Sequence, residues 1–301
     1  MLHIPVLKEE VIEALNPKLG ERFIDATLGF AGHSKAILEA VGLQGGEGEV
    51  LGLERDNQVY HLTKDALKKE KIVGLEIING SFGSLKDLAF TYGFNKVNGI
   101  LFDLGFSSWH VDSSGRGFTF QKDEPLDMRY SSNDPLTAET IVNTYSEKDL
   151  VKLLKKNSQE KFAKKIVKAI LLKREVEPIK TTFELVNMIQ EALLGGKNKK
   201  LKSKIHPATR TFQALRIEVN QEMIILKQGL EQAIEILASK GRLAVITFHS
   251  LEERIVKNFF KDLAKKKVLK IITKNPILPK KKEKGFNPRA RSAKLWVAVK
   301  L

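Results

Sequence analysis

Residues 22–34 read RFIDATLGFAGHS, an apolar run that ends on Asp25 and then passes Gly29 and Gly32 into a helical stretch. An apolar run feeding a glycine turn and a helix opens a βαβ unit. The same rhythm continues with a helix at 34–41, a strand at 49–53 (EVLGL), a helix at 57–69 and strands at 74–78 and 97–104 (VNGILFDL). These runs lack strict polar alternation, which suits strands covered on both faces. A parallel α/β sheet is therefore expected.

After Gly105 the rhythm stops. Residues 105–133 show no period, and so long an irregular stretch in a compact domain points to function or disorder; its aromatic content argues against disorder. From Asp134 the pattern turns helical. Pro135 suits a first helical position, Ser146 with Asp149 and Thr181 with Glu184 read as capping boxes, and Phe162, Ile166 and Ile170 space an apolar stripe. A helix over about 207–240, broken near Asn220 or Gly229, precedes strands at 242–248 (RLAVITF), 268–273 and 293–299. The expectation is an α/β domain over 1–112 and 207–301, interrupted at 113–206 by an inserted, all-helical and basic domain.

Composition narrows the class. The 301 residues include no cysteine, so disulfides and thiolate metal sites are excluded. No apolar run approaches the ~20 residues of a membrane span, and the N-terminus has no signal-peptide pattern, so a cytoplasmic protein without membrane contact is expected. The formal net charge is +15, but it is unevenly spread. Residues 1–145 carry 14 basic and 21 acidic side chains, 146–206 carry 16 and 7, and 257–291 carry 13 and 2. Two basic blocks beside an acidic first half suit a polyanion such as nucleic acid. A lysine-rich, merely solvated surface would give the same count.

The loop at 25–34 is neither of the two common phosphate cradles. G-x-G-x-x-G needs a second glycine at position 31, which is alanine, and no G-K-[ST] follows for a Walker A loop. A glycine loop with an acidic strand end and no pyrophosphate cradle suits S-adenosylmethionine, though it also serves as a plain βα turn. Ala31 implies that the loop turns there without a positive φ. Glu54 ends the second strand about 20 residues on, where a carboxylate can bond both ribose hydroxyls; a nicotinamide enzyme would use the same device. Asp103 ends the fourth strand, placed either to accept hydrogen bonds from an exocyclic base amine or to hold the cofactor.

Phe106, Trp109, Phe118 and Phe120 surround Arg116 and Arg129, a composition that suits a stacked base beside its phosphates or a small satellite core. In the segment 206–220, HPATRTFQALRIEVN, the residues Phe212, Leu215 and Val219 form an apolar helix face. Arg216 falls within that face. Ser250 and Glu253 read as a capping box, which leaves His249 unexplained.

Taken together, DATLGFAGHS (25–34), LERD (53–56), ILFDLGFSS (100–108), RGFTF with PLDMR (116–129), HPATRTFQALRIEVN (206–220), ITFHSLEERIVK (246–257) and NPRARSAKL (287–295) resemble the bacterial ribosomal RNA small-subunit methyltransferase H family, also called MraW. The resemblance implies a class I, Rossmann-like methyltransferase sheet with a helical insertion. It implies methyl transfer from S-adenosylmethionine to N4 of a cytosine in the decoding region of 16S rRNA. Cofactor contacts carried over by motif are Ala31, Gly32, His33, Glu54, Phe82, Asp103 and His110, with Asp103 also catalytic. The substrate strand is expected at Ser107, Ser108, Trp109, Arg116, Arg129, His206, Arg210, Arg216, Asn220, His249, Arg254, Arg289 and Arg291. No metal is expected, the partner is 16S rRNA or the small subunit, and a homodimer is left open. A nicotinamide oxidoreductase and a non-enzymatic RNA-binding module are the alternatives.

Overall fold

The computed structural model describes residues 4–42, 48–105, 107–195 and 205–301. Phe106, expected among the aromatics, lies outside them. The chain divides into two compact units, one formed by Met1–Phe106 with Met223–Leu301 and the other by Ser107–Glu222.

The first unit is a seven-stranded sheet ordered β3-β2-β1-β4-β5-β7-β6. Its strands are β1 (Arg22–Asp25), β2 (Glu49–Glu54), β3 (Leu75–Asn79), β4 (Val97–Asp103), β5 (Leu237–Thr247), β6 (Leu269–Ile271) and β7 (Lys294–Lys300). β7 runs antiparallel to both neighbours, and the pairings among the first five strands are parallel. Successive residues feed opposite cores: Ile24, Ile100, Phe102 and Val245 pack in one apolar cluster, while Phe23, Leu101, Ala244 and Ile246 pack in another. This is why the strands read as continuous apolar runs rather than alternating ones.

β1 pairs with β2 on one side and β4 on the other, so the direction of strand succession reverses between β1 and β4. In open α/β sheets that reversal opens a crevice at the carboxyl ends. Asp25 and Asp103 are the terminal residues of the two flanking strands. α1 (Lys8–Leu15), α2 (Gly32–Val41) and α3 (Asn57–Lys69) supply the first helices. β5 begins earlier than the sequence indicated because it carries a bulge. Val97 pairs with Leu237 and Gly99 with Arg242, and the extra residues turn through Lys240 at φ 65°.

The second unit is helical: Ala138–Thr144, Glu147–Ser158, Ala163–Val176, Thr182–Leu194 and Thr209–Val219 enclose a core that includes Ile141, Leu154, Ile166, Ile170, Leu185 and Phe212. Thr209–Val219, which the sequence reading attached to the sheet domain, packs in this core and adjoins Glu147–Ser158. The expected long helix breaks after Val219, where Asn220 ends one helix and Gln221 adopts φ 51° before Glu222–Ile236. Ser146 and Thr181 cap their helices as expected. Pro135 does not start one, because Thr137 caps Ala138–Thr144. Phe162 is a half-exposed N-cap rather than part of the buried stripe. Among the described residues no helix is long and apolar enough to cross a membrane.

Candidate active site

The loop after β1 is built from hydrogen bonds that its own sequence supplies. Asp25, fully buried, accepts from the Ser34 hydroxyl at 2.7 Å and from the Thr27 amide at 3.1 Å. Burial pushes its carboxyl above the ordinary range, partly offset by His33, Ser34 and Thr27. Gly29 turns at φ 51°. Ala31, contrary to expectation, also adopts a left-handed conformation, at φ 61° and ψ 22°. It is the N-cap of α2 and makes no side-chain cap, so the first-turn amides of α2 are not capped by that side chain.

Glu54 closes the loop from the next strand. One carboxylate oxygen accepts from the Gly29 amide at 2.9 Å and the other from the Asp56 amide at 2.7 Å. Asp56 in turn caps α3 through the Gln58 and Val59 amides. Burial pushes the Glu54 carboxyl up to about 7. The β3 end is tied to the same point, since Asn79 Nδ2 donates to the Glu54 carbonyl at 2.9 Å. Phe82 follows in a short 3₁₀ turn and meets Phe102 edge-on at 5.4 Å. Gly229 permits this: an added Cβ would come within 2.7 Å of the Phe82 ring.

Asp103 ends β4 with its amide donating to the Thr27 hydroxyl at 2.7 Å, which joins the β4 end to the loop after β1. Its Oδ1 accepts from the Gly105 amide at 3.3 Å, and its Oδ2 lies 3.5 Å from His33 Nε2. The His33 ring is only 5% exposed, and neither ring nitrogen has a hydrogen-bond partner among the described residues. A buried, unsatisfied imidazole beside a carboxylate is costly in a structural role, and it fits a polar ligand group. Of the expected set, the first unit thus gathers Ala31, Gly32, His33, Glu54 and Asp103 around one strand reversal. Thr27, which links these groups, was visible in the sequence only as a loop residue, whereas Asp25 was read there as the acidic end of the first strand.

The second unit handles its expected residues differently. His110 Nδ1 accepts from the Ser107 amide at 3.2 Å, and Ser107 Oγ accepts from the Trp109 amide, so this pair caps Ser108–Asp112. The His110 ring lies 5.0 Å from Phe118 and 5.1 Å from Tyr130, and Phe118 stacks on Tyr130 at 5.4 Å. Arg116 sits over Trp109 and Phe118 and donates to the carbonyls of Arg129 and Tyr130. Arg129 grips Asp127 through two bonds at 2.7 and 2.9 Å and also reaches the Ser132 and Asp134 carbonyls. Asp127 is held low by those bonds from Arg129, which outweigh the upward push of its burial.

Arg216 forms a two-bond ion pair with Glu222 at 2.9 and 3.1 Å. Fully buried Asn220 accepts from the Tyr130 amide at 2.8 Å and donates to the Met128 carbonyl at 2.7 Å. Arg116, Arg129, Arg216 and Asn220, expected on the substrate strand, thus each bond groups of the protein itself. His206 stacks on Phe120 at 4.6 Å, and burial lowers its pKa. The side chains of Arg210, Arg254 and Arg291 make no hydrogen bond or ion pair among the described residues, which leaves their guanidinium groups available. Arg289 lies in a 3₁₀ turn over Pro288–Ser292, and Ser108 begins a helix.

His249, left unexplained by the sequence, is the N-cap of Ser250–Lys265. Its Nδ1 accepts from the Glu252 amide at 3.4 Å, and buried Glu252 accepts from the Phe248 and His249 amides. The capping box is thus His249 with Glu252. Ser250 is the first helical residue and Glu253 bonds Lys294 at 2.7 Å.

A parallel sheet reversing between β1 and β4, with an antiparallel β7 inserted beside β5, defines the Rossmann-like architecture of class I methyltransferases. The chain belongs to the MraW methylase family, whose sequence model matches residues 1–301. It is 42% identical to the ribosomal RNA small subunit methyltransferase H of Clostridium botulinum, over 99% of both chains. Identity is 40% to the protein of the same name from Finegoldia magna, covering 99% of this chain and 98% of that one, and 42% to that of Caldicellulosiruptor bescii, covering 99% of each. With the family shown, the nicotinamide and non-enzymatic alternatives are set aside.

Proposed function

We propose that this protein transfers a methyl group from S-adenosylmethionine to the exocyclic N4 amine of a cytosine in 16S rRNA, acting in the cytoplasm on the rRNA or the small subunit. The observation that carries the reading is the convergence of Asp103, His33, Glu54 and the uncapped α2 terminus on the reversal between β1 and β4. The donor set suits this cofactor. Each Glu54 oxygen spends one lone pair on a backbone amide and keeps another for a ribose hydroxyl. The left-handed turn at Ala31 aims the α2 amides at a carboxylate, and Phe82 offers a flat apolar face to an adenine.

When bound, S-adenosylmethionine supplies an electrophilic methyl group on a sulfonium. The rest is the chain's work. A cytosine amine is a weak nucleophile because its lone pair is delocalised into the ring. Asp103 accepts hydrogen bonds from that amine, draws the lone pair out of conjugation, fixes its approach in line with the methyl group, and passes to solvent the proton the amine gives up on methylation. The Thr27 hydroxyl holds the Asp103 backbone, and His33 lies against its carboxylate. The helical unit and the basic segment 257–291 take the RNA: Phe120 with His206, and Trp109, offer stacking surfaces, while Arg210, Arg254 and Arg291 meet phosphates.

The test is tritium transfer from labelled S-adenosylmethionine to small-subunit rRNA, followed by digestion to nucleosides. Label in N4-methylcytidine supports the reading. Label on another atom or base overturns the N4 assignment, and absence of transfer to both naked rRNA and assembled subunits overturns the substrate class.

A further inference from the structure

The glycine loop is roofed by a segment far from it in sequence. An added Cβ at Gly32 would lie 3.0–3.2 Å from three ring carbons of Pro5, so the proline packs directly on the first residue of α2. Any side chain at position 32 would push that ring away. The segment carrying Pro5 is itself held from the other end of the chain. Asn287, 8% exposed, donates its amide to the Ile4 carbonyl at 3.2 Å, and Glu283 Oε1 accepts from the Leu7 amide at 2.8 Å. These bonds bracket Pro5 by one and two residues.

The bracket has a physical purpose. Leu7 sits at φ 56° and ψ 35°, a left-handed conformation outside the glycine norm. Strain of that kind persists only where the surroundings over-determine the backbone. Val6 and Leu7 are buried with Ala290 and Ala293 in the same apolar cluster, so packing at Val6 and Leu7 joins the hydrogen bonds at Ile4 and Leu7 on one short segment. Among the described residues neither Asn287 nor Glu283 bonds the glycine loop itself.

We infer that Asn287 and Glu283 are positioning residues for the cofactor loop: they pin residues 4–7 so that Pro5 holds the first turn of α2, and with it Ala31–His33, in the binding conformation. The inference rests on reading that loop as the S-adenosylmethionine site.

The experiment uses the full chain and two variants, Asn287→Asp, which is isosteric but loses the donor to Ile4, and Pro5→Gly, which removes the ring. Hydrogen exchange of the Lys35 amide, which donates to the Ala31 carbonyl at 2.9 Å, and of the α2 amides after it is measured in the cofactor-free proteins, and calorimetry measures S-adenosylhomocysteine affinity. Both variants are expected to speed exchange at those amides at least tenfold and to weaken S-adenosylhomocysteine five- to twentyfold. Turnover at saturating S-adenosylmethionine stays within about twofold, so the effect appears in KM and not in kcat. A lower melting temperature with unchanged loop exchange and unchanged affinity overturns the inference and leaves only a structural tie. Should Asn287→Asp fail to fold, Pro5→Gly decides alone. If the unaltered protein does not bind S-adenosylhomocysteine, the cofactor reading falls, and the exchange measurement still judges the positioning.

Discussion

Glu54 offers a titration that should appear in ligand affinity. Its carboxyl is pushed up to about 7 by burial, so near neutral pH the cofactor-free protein holds it about half protonated. A ribose whose two hydroxyls both donate needs the ionised form. Binding therefore selects the deprotonated state, and the apparent Kd scales as one plus ten to the power of seven minus pH. From pH 6 to pH 8 that factor falls from about 11 to about 1.1, so affinity should rise about tenfold, with roughly half a proton released per ligand at pH 7. The probe is 5′-methylthioadenosine, which keeps adenine and ribose but lacks the titrating amino-acid portion. Calorimetry in buffers of differing ionisation enthalpy reads affinity and proton release together. Glu54→Gln should bind more weakly and show no slope in this window. A pH-independent affinity for the unaltered protein, or the same slope in the variant, would refute the role given to this carboxylate.

Three further outcomes follow from particular contacts. Ala31→Gly removes a left-handed alanine that costs about 1 kcal/mol, offset by the greater freedom of glycine when unfolded, so denaturant melts should show it neutral or stabilising rather than destabilising. Asn220→Ala strips partners from the Tyr130 amide and the Met128 carbonyl, and should cost about 2–4 kcal/mol in the same melts; a loss below about 0.5 kcal/mol would mean these bonds are not needed. Replacing Arg254, Lys257 and Lys261, three exposed cations on one face of Ser250–Lys265, with glutamine should flatten the salt dependence of RNA binding by about 2 in log–log slope while sparing cofactor affinity. Equal loss of both would contradict the separation of RNA and cofactor surfaces.

β1, β2, β4 and the second half of β5 were legible because they are buried on both faces, and such strands announce themselves as continuous apolar runs. What failed to show depended on partners that sequence spacing does not reveal. Arg216 looked like a substrate arginine because its partner Glu222 lies beyond the helix break at Asn220, outside any helical i,i+4 register. His249 capped a helix in place of the serine beside it, a use of imidazole that residue preferences do not favour. The bulge at the start of β5 hid four residues of strand inside an apparent helix end. The loop at 25–34 was recognised as a site, yet its left-handed turn at Ala31 and its roof at Pro5 were not, since one defies residue preference and the other joins positions 27 apart.

The role proposed for Asp103 is to act on the amine at the crevice between β1 and β4. Single-turnover methyl transfer by Asp103→Asn, at saturating S-adenosylmethionine and with small-subunit rRNA, tests it most directly. A loss of about 100-fold or more in rate is expected, in keeping with removal of one oriented electrostatic group, with cofactor binding still measurable. Full-rate transfer by the variant would contradict it.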